Sequence, residues 1–167
     1  NPLSKTEIAQ AFEERMQLLK SDDVASYIKP IEDEVVYKIY DLYNGDIRSI
    51  MSSITDLLGQ YSEKLAQPLS VNEAMLLLGK ERWEKIENVM KLTMEQKTIL
   101  KHLASAEKFI SQKEIVKMFG KTPSNVSGYY FKPLRENNII EEKERKDKSP
   151  YYGLTADYIP LKWLIKS

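Results

Sequence analysis

Apolar positions in the first half of the chain recur at the spacing of amphipathic helices. A capping box runs from Ser4 to Glu7 and predicts the start of a first helix. A second helix is expected to open at Pro30, because a first-turn residue needs no N–H donor, and to end at Asn44 and Gly45. The first 45 residues therefore divide into two predicted helices.

The strongest helical stripe follows Gly45. Its apolar residues share one face at a period of about 3.6 residues, and they are Ile47, Ile50, Met51, Ile54, Leu57 and Leu58. A capping box from Ser70 to Glu73 predicts another helix, which Gly79 is expected to end, and residues 81–90 are expected to form a connecting helix. The first half should be a bundle of four or five helices.

The second half has a different order of elements. Thr93 is expected to cap a helix, and residues 109–110 are expected to form a short strand. A capping box from Ser111 to Glu114 predicts a further helix, with Gly120 at the turn that follows it. The helix that begins after Ser111 and the turn at Gly120 are the first part of a helix-turn-helix arrangement.

Thr122 is predicted to cap the next helix, with Pro123 in its first position. Pro133 should kink this helix or end it early, because it lacks an N–H for the Tyr129 carbonyl and its ring crowds the preceding turn. The predicted inward face consists of Val126, Tyr130 and Leu134.

Two strands complete the pattern, at residues 139–145 and 151–155, with turn-forming residues between them. Helix, short strand, helix, turn, helix and hairpin is the order of a winged helix. The predicted fold is mostly α with a small β-hairpin. It comprises a helical bundle at 1–90 and a winged helix-turn-helix domain at 91–167.

Composition excludes several classes of protein. The chain is 42% hydrophobic and 30% charged, which is typical of a soluble globular protein, and we expect it to be cytoplasmic with no membrane partner. It has no cysteine and a single histidine, His102, so we expect no metal site and no catalytic residue. Gly120-Lys121-Thr122 lacks the earlier glycine of a phosphate-binding loop, so this chain alone should not hydrolyse ATP.

Charge is divided unevenly along the chain. Residues 1–90 contain 10 Lys and Arg against 16 Asp and Glu, whereas residues 91–153 contain 13 against 8. A basic second half indicates a polyanionic partner, and double-stranded DNA fits the predicted fold. The predicted DNA-binding residues lie on the second helix of the helix-turn-helix, beside it, and at the hairpin tip; they are Lys113, Lys121, Thr122, Ser124, Asn125, Ser127, Tyr129, Lys132, Arg145, Lys146 and Lys148.

Two other interpretations of this half remain open. Glu141, Glu142 and Glu144 also lie on the hairpin, so its charges are equally typical of an ordinary solvated edge. Winged helices also bind proteins, and such a module would present an exposed aromatic patch, which we place at Tyr129, Tyr151, Tyr152 and Trp163.

Motifs in the first half resemble a known family. Pro2-Leu3-Ser4, Glu7-Ile8 and Arg15, with Gly45-Asp46-Ile47-Arg48 heading an apolar helix, resemble the lid subdomain of AAA+ ATPases. A lid followed directly by a winged helix is similar to the archaeal origin-recognition initiators. The Holliday-junction branch-migration motor combines the same two parts.

The resemblance implies a role for one residue and a set of partners. Arg48 would be the nucleotide-sensing arginine, reaching the γ-phosphate of ATP bound with Mg²⁺ in a preceding nucleotide-binding domain that this sequence lacks. The parent would then be an ATPase that acts with other subunits in DNA replication initiation, and the non-Met first residue favours a fragment. Two alternatives are a protein-interaction module of an ATPase assembly and a stand-alone transcription regulator whose helical half dimerises.

Overall fold

The computed structural model describes residues 3–18, 29–60, 67–106, 109–144 and 150–166. The chain divides into two compact units, Asn1–Leu78 and Gly79–Ser167, called here the N-terminal and C-terminal units. The domain boundary expected after residue 90 falls later than this division. Within the described ranges, no helix has the length and apolarity needed to cross a bilayer.

The N-terminal unit consists of helices α1 (Lys5–Leu18), α2 (Asp33–Leu42) and α3 (Ile47–Gln60), and it contains the start of α4 (Val71–Val89). The capping box predicted for α1 is present: the Ser4 backbone N–H donates to Glu7 Oε2 at 2.7 Å, and the Glu7 N–H donates to Ser4 Oγ at 3.3 Å. Ile50, Ile54 and Leu57 of the predicted apolar stripe of α3 are buried, whereas Ile47 at its start is 44% exposed.

Pro30 does not open α2, and that prediction is wrong. The Leu69 N–H donates to the Pro30 carbonyl at 2.9 Å, and the Glu32 N–H donates to the Leu69 carbonyl at 3.2 Å. Ile31 is fully buried in this parallel bridge to Leu69. The helix therefore begins only at Asp33, since its preceding residues are held extended by a distant segment of chain.

Gly79 does not end a helix either, because α4 runs unbroken from Val71 to Val89. A Cβ at position 79 would lie 2.8 Å from the Pro160 carbonyl oxygen and 3.2 Å from Leu164 Cβ. Only a glycine permits such a close approach of helix and backbone. This residue is explained by packing rather than by a turn.

The C-terminal unit holds the remaining elements. They are α5 (Met94–Ser105), β1 (Ile110–Ser111), α6 (Gln112–Phe119), α7 (Pro123–Asn125), a π-helix (Val126–Phe131), α8 (Lys132–Glu136), β2 (Ile140–Glu144), β3 (Pro150–Leu154), a 3₁₀ turn (Ala156–Tyr158) and α9 (Leu161–Lys166). The strands form an antiparallel sheet in the order β1-β3-β2. A mostly helical chain with this small sheet confirms the predicted fold class, including the winged helix-turn-helix.

One continuous core holds the C-terminal unit together. The rings of Phe131 and Tyr152 pack at its centre, with centroids 3.9 Å apart. The Thr93 capping box that starts α5 is complete, with both Thr93 and Gln96 accepting from the other's backbone N–H. The core also includes Ile99, Leu100, Leu103, Ile110, Ile115, Val126, Leu134 and Ile140.

The predicted inward face of the helix that Thr122 caps is wrong at Tyr130. Phe131 is fully buried, whereas Tyr130 is only partly buried, because the π-helix shifts the register by one residue. The Lys132 N–H donates to the Ser127 carbonyl, five residues back. Pro133 therefore does not end the helix, since a wider turn accommodates the ring and the missing donor, and the chain stays helical to Glu136. Residues 123–136 are called the recognition segment below.

Candidate nucleic-acid interface

The turn between α6 and the recognition segment is fixed by local bonds. Ser111 caps α6 by accepting from the Glu114 N–H at 3.3 Å, and Gly120 ends it in the left-handed region at φ 60°. Thr122 caps the next helix by accepting from the Asn125 N–H at 3.4 Å, with a proline in the first position as predicted. Both ends of the turn thus follow from residue types that the sequence places there.

A longer-range bond ties the two helices together. The Gln112 side-chain amide donates to the Pro123 carbonyl at 2.9 Å, so the start of α6 is linked to the start of the recognition segment. The helices also contact each other through their apolar faces, since Ile115 and Val126 are both fully buried. Their N-terminal turns are therefore held in a defined spacing.

The predicted base-reading residues of the recognition segment lie at the surface. Ser124 and Asn125 are exposed, and Tyr129 is 74% exposed, while Ser127 is partly buried. Thr122 is also exposed, and its hydroxyl lies 3.2 Å from that of Ser124. These side chains form one polar face with an exposed aromatic ring.

Gly128 lies within this face. It is exposed, and a Cβ placed on it would meet no atom within 4 Å. Internal packing therefore does not require a glycine at this position. A glycine inside a helix costs stability relative to alanine, and no packing contact here explains that cost.

Three lysines surround the start of the segment. Lys113 and Lys117 lie on α6, Lys121 lies in the turn, and all three are exposed. Within the part of the chain that the structure describes, none of these ammonium groups lies in an ion pair. Lys132 lies 3.9 Å from Glu136, but both side chains are more than 60% exposed, so solvent screens this pair. The lysines can therefore neutralise an approaching anion.

The described acidic side chains of β2, the first strand of the hairpin, have ion-pair partners. Glu142 pairs with Arg135 of the recognition segment, and Glu141 Oε1 lies 3.1 Å from Lys143 Nζ. The Lys143 ammonium also sits 4.2 Å from the centre of the Phe109 ring. The described carboxylates of β2 thus take part in ion pairs, which weakens their repulsion of a polyanion.

A shallow polar depression of about 410 Å³ lies on the recognition segment, and it is lined by Ser127, Gly128, Lys132, Arg135 and Glu136. It brings two predicted contact residues beside Arg135, which sequence reasoning missed. The available signal was its position three residues after Lys132, on the same helical face. The depression therefore combines the cations of Lys132 and Arg135 with the Ser127 hydroxyl and the Glu136 carboxylate.

The remaining predicted residues lie outside the described ranges, or are buried or partly buried. Arg145, Lys146 and Lys148, at the predicted wing tip, lie outside the described residues. The predicted aromatic patch is wrong at Tyr152, which is 1% exposed and packs on Phe131, whereas Tyr151 and Trp163 are partly buried. His102 is partly buried on α5, with Nε2 3.4 Å from Glu114 Oε1.

Arg48 lies in the first turn of α3 in the N-terminal unit, with its side chain exposed. It follows Gly45, whose φ of 79° makes the turn before the helix. Asp46 caps this helix, accepting from the Ser49 hydroxyl at 2.5 Å and from its N–H at 3.2 Å, and these bonds lower the pKa of the Asp46 carboxyl. The nucleotide-sensing role of Arg48 stays a prediction.

The elements of the C-terminal unit and its exposed polar helix define a winged helix-turn-helix domain. No protein-family model and no curated protein matches the sequence. The solved structures that are similar to this chain include two mutants of ZitR from Lactococcus lactis. Each has 20% sequence identity to this chain, and each alignment covers 72% of this chain and 70% of the ZitR chain. The TM-scores are 0.38 and 0.37. Similarity at this level carries no argument about function, which has to rest on the residues themselves.

Proposed function

We propose that the C-terminal unit binds duplex DNA, with the N-terminal turns of the recognition segment in the major groove. The observation that carries this proposal is the exposed polar face from Ser124 to Lys132, flanked by lysines that have no ion-pair partner among the described residues. Small hydroxyl and amide side chains let a helix approach base edges closely, and the surrounding ammonium groups contact phosphates.

Each exposed residue type has a part in this interaction. The Asn125 amide matches the paired donor and acceptor of adenine in the major groove. Ser124 and Ser127 hydroxyls accept or donate to either bases or phosphates, and Gly128 leaves room for the backbone to come close. Lys113 and Lys121 supply the salt-dependent part of the affinity.

Features of the N-terminal unit support a proposal about the kind of protein in which this DNA-binding domain works. The exposed Arg48, directly after the glycine turn, supports a lid subdomain that senses ATP and Mg²⁺ in a preceding domain of an AAA+ ATPase. The alternative is a stand-alone transcription regulator, which would form stable dimers on palindromic sites. Sedimentation of the chain with and without duplex separates the two, since a dimer in both conditions favours the regulator.

A salt titration of duplex binding tests the DNA role. Fluorescence anisotropy with a labelled duplex of about 20 base pairs should give an affinity that falls steeply with salt. Lys113→Ala and Lys121→Ala should each weaken binding and reduce the slope of log K against log salt by about one. Lys101→Ala, an exposed lysine on α5, is the matched control and should change neither quantity. Equal behaviour of all three variants would overturn the proposal.

A further inference from the structure

An apolar cavity of about 270 Å³ opens between α6, the first residue of the recognition segment and the first residue of β3. It is lined by Gln112, Lys113, Val116, Lys117, Pro123 and Pro150. Val116 and the two proline rings provide apolar walls, and the methylene stems of the lysines extend them. The cavity is distinct from the polar depression on the recognition segment, with which it shares no residue.

The described charged side chains at this cavity are both positive. Lys113 and Lys117 are four residues apart on the same face of α6, and neither lies in an ion pair with any residue that the structure describes. Among the residues that the structure describes, no acidic side chain lines the cavity. An apolar chamber with two cations at its edge matches a ligand that has a hydrophobic body and one negative group.

We propose that this cavity binds a small amphipathic carboxylate, such as an aromatic or short-chain alkyl acid. Its volume lies just below the range of about 300–1,000 Å³ typical of pockets for drug-sized ligands, which favours a single ring or a short chain. The body contacts Val116, Pro123 and Pro150, and the carboxylate pairs with Lys113 and Lys117. Lipid-sized or strongly polar anions do not fit this combination of volume and lining.

The position of the cavity couples the ligand to DNA, a consequence that rests on the proposed function. A carboxylate on Lys113 cancels a charge that duplex binding uses. The ligand also lies beside the Gln112 bond to the Pro123 carbonyl, which sets the spacing of the two helices. Because coupling between two ligands is reciprocal, an acid that weakens DNA binding is itself released by DNA.

Binding to the free protein tests the site alone. Titration with benzoate, followed by ¹H–¹⁵N NMR, should give saturable shifts at Gln112, Val116 and Lys117. Benzamide has the same shape without the charge and should bind at least about fivefold more weakly, the factor expected for one lost partly exposed ion pair. Acetate keeps the charge but lacks the ring, so it should also bind more weakly because it buries less apolar surface. Equal binding of benzoate and benzamide, or no saturable shift, would overturn the proposal.

Two variants separate the cavity from general surface effects. Val116→Met fills the cavity with a longer side chain and should therefore abolish the NMR shifts that benzoate causes. Lys117→Gln, which leaves the walls intact, should weaken benzoate by about fivefold, whereas Lys101→Gln should not. Unchanged benzoate affinity in Lys117→Gln would contradict the charge pairing even if Val116→Met failed to fold.

A second arm tests the coupling. Saturating benzoate should weaken duplex binding of the wild-type protein by about the factor that Lys113→Ala produces, at constant ionic strength. Val116→Met should bind duplex like the wild type and be insensitive to benzoate. Undiminished duplex affinity with the cavity saturated would overturn the antagonism. Absence of duplex binding by the wild type would overturn the proposed function, and the NMR titration of the free protein would still decide the site.

Discussion

Phe131 packs against Tyr152, with ring centroids 3.9 Å apart, and so joins the recognition segment to the central strand of the sheet. Both side chains are almost completely buried. The neighbouring Tyr130 is only partly buried, and the centre of its ring lies 6.0 Å from the centre of the Phe119 ring. The π-helix decides which of the two adjacent aromatics reaches the core.

Truncation of these two aromatics should therefore have unequal effects. Phe131→Ala should lower the free energy of unfolding of the C-terminal unit by about 3–5 kcal/mol, the usual cost of removing a buried aromatic ring. Tyr130→Ala should cost only about 1 kcal/mol. Both tryptophans of the chain lie in this unit, so urea unfolding followed by tryptophan fluorescence measures it. If Phe131→Ala fails to fold, Phe131→Leu should still lower the free energy of unfolding more than Tyr130→Leu does. The reverse order would contradict the register that the π-helix sets.

Two glycines of the C-terminal unit should respond oppositely to alanine. Gly79→Ala would push a Cβ against the backbone oxygen of Pro160, which cannot move freely, and should destabilise the unit by about 1–3 kcal/mol. Gly128→Ala meets no atom and should be neutral or stabilising by up to about 1 kcal/mol. The same fluorescence measurement compares them. Equal stability of the two variants would refute the close approach at Gly79.

Gly128→Ala should nevertheless weaken duplex binding. The added methyl group projects from the exposed face of the recognition segment, where the proposed groove contact leaves no space for it. Gly59→Ala is the matched control, because Gly59 is also an exposed helical glycine with an open surrounding, but it lies on α3 of the N-terminal unit. Anisotropy at one salt concentration should show lower affinity for the first variant only. An unchanged affinity would remove Gly128 from the interface.

Acid should destabilise the helices of the N-terminal unit. Hydrogen bonds from Ser4 lower the pKa of Glu7, and hydrogen bonds from Ser70 lower that of Glu73, each below the ordinary value of 4.5. A lowered pKa in the folded state means that the ionised group stabilises the fold above this value and loses that contribution as pH falls further. Far-UV circular dichroism with urea, at about pH 7 and about pH 3.5, should show the loss.

Glu7→Gln is the control for this acid effect. Glutamine retains an acceptor for the Ser4 N–H but does not titrate, so the difference in stability between the two pH values should shrink. Stability that is independent of pH in the wild type would show that these helix caps contribute nothing measurable.

The features that sequence predicted correctly are those that depend on near neighbours. The complete boxes at Ser4 and Thr93, and the single bond from the Ser70 N–H to Glu73, involve residues three positions apart. The turn at Gly120 involves one residue, so pattern alone sufficed for these features. The same holds for the exposed face that starts at Ser124, which follows from its cap at Thr122.

The errors all have a distant partner. Pro30 is held extended by Leu69, and Gly79 is required by Pro160, and neither relationship leaves a trace in local pattern. The register after Val126 depends on whether Phe131 or Tyr130 fills the space beside Tyr152, which only the packed core determines. Arg135 differs from these cases, because its position three residues after Lys132 was an available local signal. Only its ion pair with Glu142 on β2 depends on a distant partner.

Mapping the duplex contact on the protein tests the central claim most directly. Addition of a duplex of about 20 base pairs to ¹⁵N-labelled protein should broaden or shift the backbone amides of Lys121, Ser124, Asn125, Ser127 and Gly128. The amides of α2, in the N-terminal unit, should remain unchanged. Perturbation confined to elements other than α6 and the recognition segment, or no perturbation at low salt, would contradict the assignment of this face as the DNA interface.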